Sequence, residues 1–146
     1  MPQIFTVGQP KTAITPFGSG QRTRLLTLDF KVDKRVAIFI SANADVWMDR
    51  HAIPGSPVPP GVSGFLQVGY FTSGQPVGTF SAYTEHRVDL SVAADTWVMI
   101  NLPLHVTHTS PEVALGSFQA ALDFYCINVA PSQIMPRRLT AMLLEW

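Results

Sequence analysis

The sequence predicts a single all-β domain, folded as an antiparallel β-sandwich with jelly-roll connectivity and about eight to ten strands. Apolar and polar residues alternate with a period of two along most of the chain, as they do in half-buried strands. Turn-forming residues separate these runs at short intervals. The length of 146 residues is enough for one hydrophobic core, so we expect one domain over residues 1–146.

The clearest strand begins at Leu26, where Leu26, Leu28, Phe30 and Val32 alternate with polar residues. The same alternation predicts strands at 35–41, 45–50, 64–72, 77–83, 87–92, 96–106, 120–129 and 139–146, with a short strand at 4–7. A single short helix is predicted at 112–118. Parallel neighbours would need long crossover connections, so the short links between these runs predict antiparallel pairing.

Turn signals at 32–35, 41–44, 72–76 and 93–95 separate the predicted strands. Two longer irregular stretches are expected outside the sandwich: an N-terminal arm within residues 1–21 and a proline-rich loop at 51–63. Both stretches are either simple surface connections or carriers of contacts to partners, since binding residues concentrate on loops.

The composition is poor in charge. Only 14% of the residues are charged, against about 25% in a typical soluble domain, which indicates a homo-oligomer whose interfaces hide part of the surface. The formal net charge is zero, so no nucleic-acid partner is expected. No segment resembles a signal peptide or a membrane span, and we expect a protein that is made in a cytoplasm without membrane attachment.

No motif of the sequence predicts an enzyme, a cofactor or a metal site. Cys126 lies inside the apolar run LDFYCINV, which predicts a buried and unreactive thiol. His105 and His108 have the H-x-x-H spacing of some zinc sites, but on a strand the two side chains would point to opposite faces. We expect His105 near a strand end and His108 in a turn.

Asp45, Trp47, Asp49 and His51 would share one face of a regular strand. An aromatic ring flanked by carboxylates is typical of a sugar-binding surface, and Tyr83 and Glu85 on a later strand could extend it. Paired aspartates also suit calcium, but no D-x-D-x-D-G loop is present. The alternative is a solvated strand face whose tryptophan is covered by a neighbouring strand or subunit.

The C-terminal segment is apolar and has no polar tail. A chain terminus frays unless it is packed, so Leu143, Leu144 and Trp146 are predicted to lie in a sheet or at a subunit interface.

The N-terminal arm, the strands RVAIFISANADVW and GFLQVGYF, the proline-rich loop and the terminal apolar strand resemble the jelly-roll proteins of bacteriophage particles. These are head-decoration proteins and fibre heads with a tumour-necrosis-factor-like sandwich. The resemblance implies a non-enzymatic structural protein of the virion that binds other virion proteins, and a trimer, whereas general base rates favour a dimer. A carbohydrate-binding module or receptor-binding head is the alternative function, and a small enzyme on a sandwich scaffold is the third.

Overall fold

The computed structural model describes residues 2–9, 22–50, 61–75, 80–91, 98–113, 115–127 and 130–145. These residues form eight strands: β1 (Gln3–Gln9), β2 (Thr23–Val32), β3 (Val36–Arg50), β4 (Gly61–Thr72), β5 (Ala82–Ser91), β6 (Val98–Val113), β7 (Gly116–Ile127) and β8 (Ala130–Glu145). No helix that could span a bilayer occurs among them.

The strands form two antiparallel four-stranded sheets. Sheet A has the order β1-β8-β3-β6, and sheet B has the order β2-β7-β4-β5. The pairs are nested along the chain, because β1 pairs with β8, β2 with β7, β3 with β6 and β4 with β5. One long hairpin rolled over two sheets produces this order, which is the jelly roll. The predicted all-β antiparallel sandwich is therefore confirmed.

The core lies between the two sheets and is filled by the residues that alternate inward. On β3 these are Ile38 and Ile40, both fully buried, and on β2 Phe30 packs against Phe118 of β7 with ring centroids 5.8 Å apart. The alternation that predicted β2 holds in the structure, where Phe30 is buried and Lys31 is exposed.

Several boundaries differ from the sequence prediction. The turn expected at 41–44 is absent, because β3 continues through it with Ala42 and Ala44 buried and with β6 and β8 paired on either side. The helix expected at 112–118 is wrong. There β6 ends at Val113 and β7 begins at Gly116, whose φ of 153° suits glycine and a change of chain direction.

The two stretches expected outside the sandwich are partly described. Gln3–Gln9 of the expected arm forms β1, which pairs with β8, and residues 10–21 lie outside the described part. In the proline-rich loop, residues 61–63 belong to β4, and residues 51–60, with His51, lie outside the described part.

Candidate functional site

The outer face of sheet B is closed by its own side chains. On β4, Phe65, Gln67 and Phe71 point away from the core formed by Leu66 and Val68, yet each of the three is less than 5% exposed. Neighbouring strands of the same sheet therefore supply a second layer over these residues.

Arg24 and Asp123 form one half of this layer. Arg24 Nε and Nη2 donate to Asp123 Oδ1 and Oδ2 at 2.8 and 3.1 Å, the two-pronged geometry that gives the strongest ion pairs. Asp123 is fully buried, and the guanidinium lies 4.8 Å above the ring centroid of Phe71 and 5.7 Å from that of Phe80. Arg24 thus neutralises the carboxylate and covers the aromatic rings together.

Two further arginines cover the other half of the face. Phe65 and Tyr125 stack with ring centroids 4.3 Å apart and planes 3° apart. The guanidinium of Arg87 lies 5.1 Å from the centroid of Phe65, and that of Arg22 lies 5.7 Å from the centroid of Tyr125. We call these rings and cations the arginine–aromatic layer.

Tyr83 and Glu85 remain exposed at the edge of this layer. Tyr83 is 54% exposed, and its ring lies 5.5 Å from that of Phe80. Beneath it, Gly69 leaves room, because a Cβ there would lie 2.7 Å from Tyr83 Cβ. Tyr83 and Glu85 lie on one face of β5, since they are opposite Gly69 and Gln67 of β4.

The Glu85 carboxylate is held in place. Its Oε2 accepts hydrogen bonds from Gln67 Nε2 and, at 3.3 Å, from the Tyr125 hydroxyl. Burial and the Glu85 carboxylate raise the pKa of Tyr125, so the phenol stays protonated and donates. The Oε1 of Gln67 is buried without a hydrogen-bond partner. A fixed acceptor therefore lies beside an exposed ring.

The structure places the other residues of the predicted sugar surface on the other sheet. Asp45, Trp47 and Asp49 belong to β3 of sheet A, whose neighbours are β6 and β8, whereas Tyr83 and Glu85 belong to β5 of sheet B. Asp45 is half-buried, and the side chains of Trp47 and Asp49 lie outside the described part. The two groups do not share a sheet face, and sugar binding by either group stays a prediction.

One end of the outer face of sheet A is apolar. The register aligns Ile4, Met142 and Phe39 in a row across β1, β8 and β3. Ile4 is 59% exposed, and Leu144, next to this row, is 41% exposed. Of the C-terminal residues predicted for an interface, Leu143 lies in the core of its own chain, Leu144 lies on this outer face, and Trp146 is outside the described part.

His108 links the two sheets. Its Nδ1 lies 2.9 Å from Thr84 Oγ1 of β5, and its Nε2 lies 3.0 Å from Ser110 Oγ of β6. Burial lowers the pKa of His108. The prediction that His105 and His108 face opposite ways is confirmed, since His105 is exposed and His108 is buried. The strand end expected near His105 and the turn expected at His108 are both wrong, because both histidines lie well inside β6.

Cys126 lies in the core, as predicted, and burial raises the pKa of its thiol to about 11. A thiol with that pKa stays protonated near neutral pH and is a poor nucleophile. Among the described side chains, no group of three or more His, Cys, Asp or Glu residues is arranged to hold a metal ion.

Sequence reasoning did not identify the pairing of Arg24 with Asp123 or the burial of Gln67. These residues are far apart in the chain, and the two partners of the ion pair are separated by 99 positions. The only available signals were a charged residue inside the otherwise apolar run of β7 and an arginine at the start of β2.

No protein-family model and no curated protein sequence matches the chain. Among solved structures, it is similar to a chain of infectious bursal disease virus, Gx strain, with 12% identity over 97% of this chain and a TM-score of 0.37. It is also similar to a chain of the VP2 subviral particle of that virus, with 11% identity over 99% of this chain and a TM-score of 0.36. The chain spans 36% and 42% of the length of these two viral chains.

Proposed function

We propose that this chain is a non-enzymatic structural protein of a virus particle, which associates with copies of itself and with other particle proteins. A jelly roll alone does not define a function, because lectins and enzymes use the same architecture. The observation that carries the proposal is the open outer face of sheet A. There Ile4 and Leu144 expose apolar side chains beside Met142 and Phe39.

A contiguous apolar row across three strands, with its outer members exposed, marks an interaction surface. On sheet B, arginines of the same chain cover Phe71 and Phe65, so the exposure of Ile4 and Leu144 is not shared by every outward apolar side chain. Phage-type attachment to other virion proteins and a trimer are the specific forms that the sequence resemblance favours.

Sedimentation velocity and electron microscopy of the full chain at micromolar concentration test this proposal. We expect a closed oligomer or a larger shell, since closed symmetry limits assembly. A monodisperse species of 16.0 kDa at every concentration would contradict self-association.

The exposed Tyr83 ring and the fixed Glu85 carboxylate favour a second candidate function, a receptor-binding head that recognises a carbohydrate. A ring that lies flat on a sheet can cover the apolar face of a pyranose, while a carboxylate accepts hydrogen bonds from the hydroxyls. On a glycan array, Tyr83→Ala and Glu85→Gln should abolish binding that Lys31→Ala retains. A glycan signal that both site variants retain, or no signal from the unmodified chain, would contradict this candidate.

A further inference from the structure

Two neighbouring strands give the outer face of sheet A a self-complementary surface. This inference rests on the proposed self-association and names the surface and the partner. The β3–β8 face consists of outward side chains that lie opposite one another in register: Leu144 and Ala37, Met142 and Phe39, Thr140 and Ser41, and Arg138 and Asn43. The two apolar pairs lie toward Leu144 and the two polar pairs toward Arg138, so the face changes from apolar to polar along the strands.

We infer that the β3–β8 face binds the same face of a second copy across a twofold axis that runs parallel to these strands. Such an axis, placed between β3 and β8, lays β8 of one copy over β3 of the other. Every outward residue of β8 then meets the residue that is its own register partner, in a contact that the two copies make reciprocally.

The resulting contacts fit in shape and chemistry. Leu144 would pack on the small side chain of Ala37, and the Met142 thioether on the ring of Phe39, a favourable sulfur–aromatic contact. Thr140 would meet Ser41, where two hydroxyls can exchange a hydrogen bond. Sheets that pack face to face keep their strands within about 30° of each other, so such pairs remain close along a short face.

The positions of Arg138 and Asp45 favour this axis over a twofold axis perpendicular to the strands. Arg138 is opposite Asn43, and Asp45 follows two residues later on the same outer face of β3. Arg138 of each copy would therefore approach Asp45 of the other. An axis perpendicular to the strands would move Arg138 to the opposite end of the partner's sheet and away from Asp45.

A second copy also suits the charge distribution of the described side chains. On the outer face of sheet A, Arg138 and Asp45 are the charged residues that alternate outward, and they have opposite signs. In the contact each of these charges would meet an opposite charge of the second copy, so neither would be buried unpaired. The zero net charge of the chain removes long-range repulsion between copies.

Charge exchange at Arg138 and Asp45 tests the contact. Arg138→Glu puts two carboxylates together in both reciprocal contacts, and Asp45→Arg puts two arginines together there. Each variant alone should therefore self-associate at least about tenfold more weakly. Mixed in equal amounts, the two variants restore both opposite-charge contacts and should form a one-to-one heterodimer. Sedimentation equilibrium and native mass spectrometry measure both results, and circular dichroism verifies that each variant is folded.

The control is Lys31→Glu, a charge reversal on the outer face of sheet B, which should leave association unchanged. If the unmodified chain associates but neither single variant weakens it, or if mixing does not restore it, the β3–β8 contact is wrong while self-association stands. If the unmodified chain is monomeric, both the contact and the proposed self-association are wrong.

Discussion

The outer faces of the two sheets differ in how far their apolar side chains are exposed to solvent. Phe71 points outward from sheet B and is 1% exposed, whereas Ile4 points outward from sheet A and is 59% exposed. Both residues are apolar and both lie on strands of the same antiparallel fold. The difference arises from the side chains around Phe71, which include Arg24 of β2 and Phe80, two residues before β5.

The two outer faces also differ in the charged residues that they include. The outer face of sheet B includes these charged residues: Arg24, Asp29, Lys31, Glu85, Arg87, Asp89 and Asp123. Arginine side chains cover Phe71 and Phe65, and the charges of Arg24 and Arg87 are met by Asp123 and Asp89, whereas Tyr83 stays exposed at the edge of this face. Sheet A offers no such cover in its described part, which is why we assign self-association to it.

The largest expected effect tests whether sheet B depends on its internal ion pair. Asp123→Asn leaves Arg24, whose side chain is 14% exposed, without its buried counter-charge, and breaking a buried pair costs about 3–5 kcal/mol. The free energy of unfolding from urea titration measures the loss.

The matched control is Asp89→Asn on the same sheet, because Asp89 pairs with Arg87 at the exposed surface. Solvent screening makes such pairs weak, so this variant should unfold at the urea concentration of the unmodified chain. Equal losses in the two variants would show that the arginine–aromatic layer does not shield Asp123 from water.

An intermediate effect concerns the close approach of β5 to β4. In Gly69→Ala the new Cβ would clash with Ala82 O and lie 2.8 Å from Tyr83 Cα, so the backbone of β5 must shift. Overpacking of this kind costs about 1–3 kcal/mol. Gly8→Ala on sheet A is the control, because its Cβ would lie 3.5 Å from Arg137 O, an ordinary contact, and should change stability by less than about 0.5 kcal/mol.

Thermal or urea unfolding of both alanine variants gives the comparison. If Gly69→Ala is as stable as Gly8→Ala, the two strands do not require a glycine where Tyr83 lies over β4.

Alternation predicted which way most side chains point, but not which outward side chains are buried. The period of two at β2 correctly separates Phe30 from Lys31, because it depends only on neighbours in sequence. Burial of Gln67 and Asp123 depends on strands that are distant in sequence, and period-two patterns contain no information about strand order. The open apolar face of sheet A could not be predicted for the same reason.

The turn predicted at 41–44 does not form, because β3 is paired with a strand on each side there. Asn43 marks a turn in sequence, yet it lies opposite Arg138 on one side and His105 on the other, within a strand of 15 residues. Ladder hydrogen bonds on both edges hold an extended backbone against a local turn preference. The separation of Asp45 from Tyr83 onto different sheets is equally a property of strand order, which five residues on two strands cannot reveal.

The smallest expected effect lies where the two sheets meet, at His108. Burial lowers the pKa of His108 below the value near 6.5 that the unfolded chain retains, so the unfolded chain binds the proton more tightly. The stability that the neutral imidazole provides is complete above pH 6.5 and decreases as the pH falls below it. Protonation would add a buried charge beside Thr84, at the hydrogen bond that joins sheet B to sheet A.

Urea midpoints measured between pH 7.5 and pH 5 test this expectation through two variants. His108→Asn keeps a polar group near Thr84 but cannot take up a proton, so its midpoint should decrease less than that of the unmodified chain. His105→Gln removes an exposed imidazole from the opposite face of β6 and should keep the decrease of the unmodified chain. A decrease that disappears in His105→Gln and persists in His108→Asn would show that the junction between the sheets is not the acid-sensitive element.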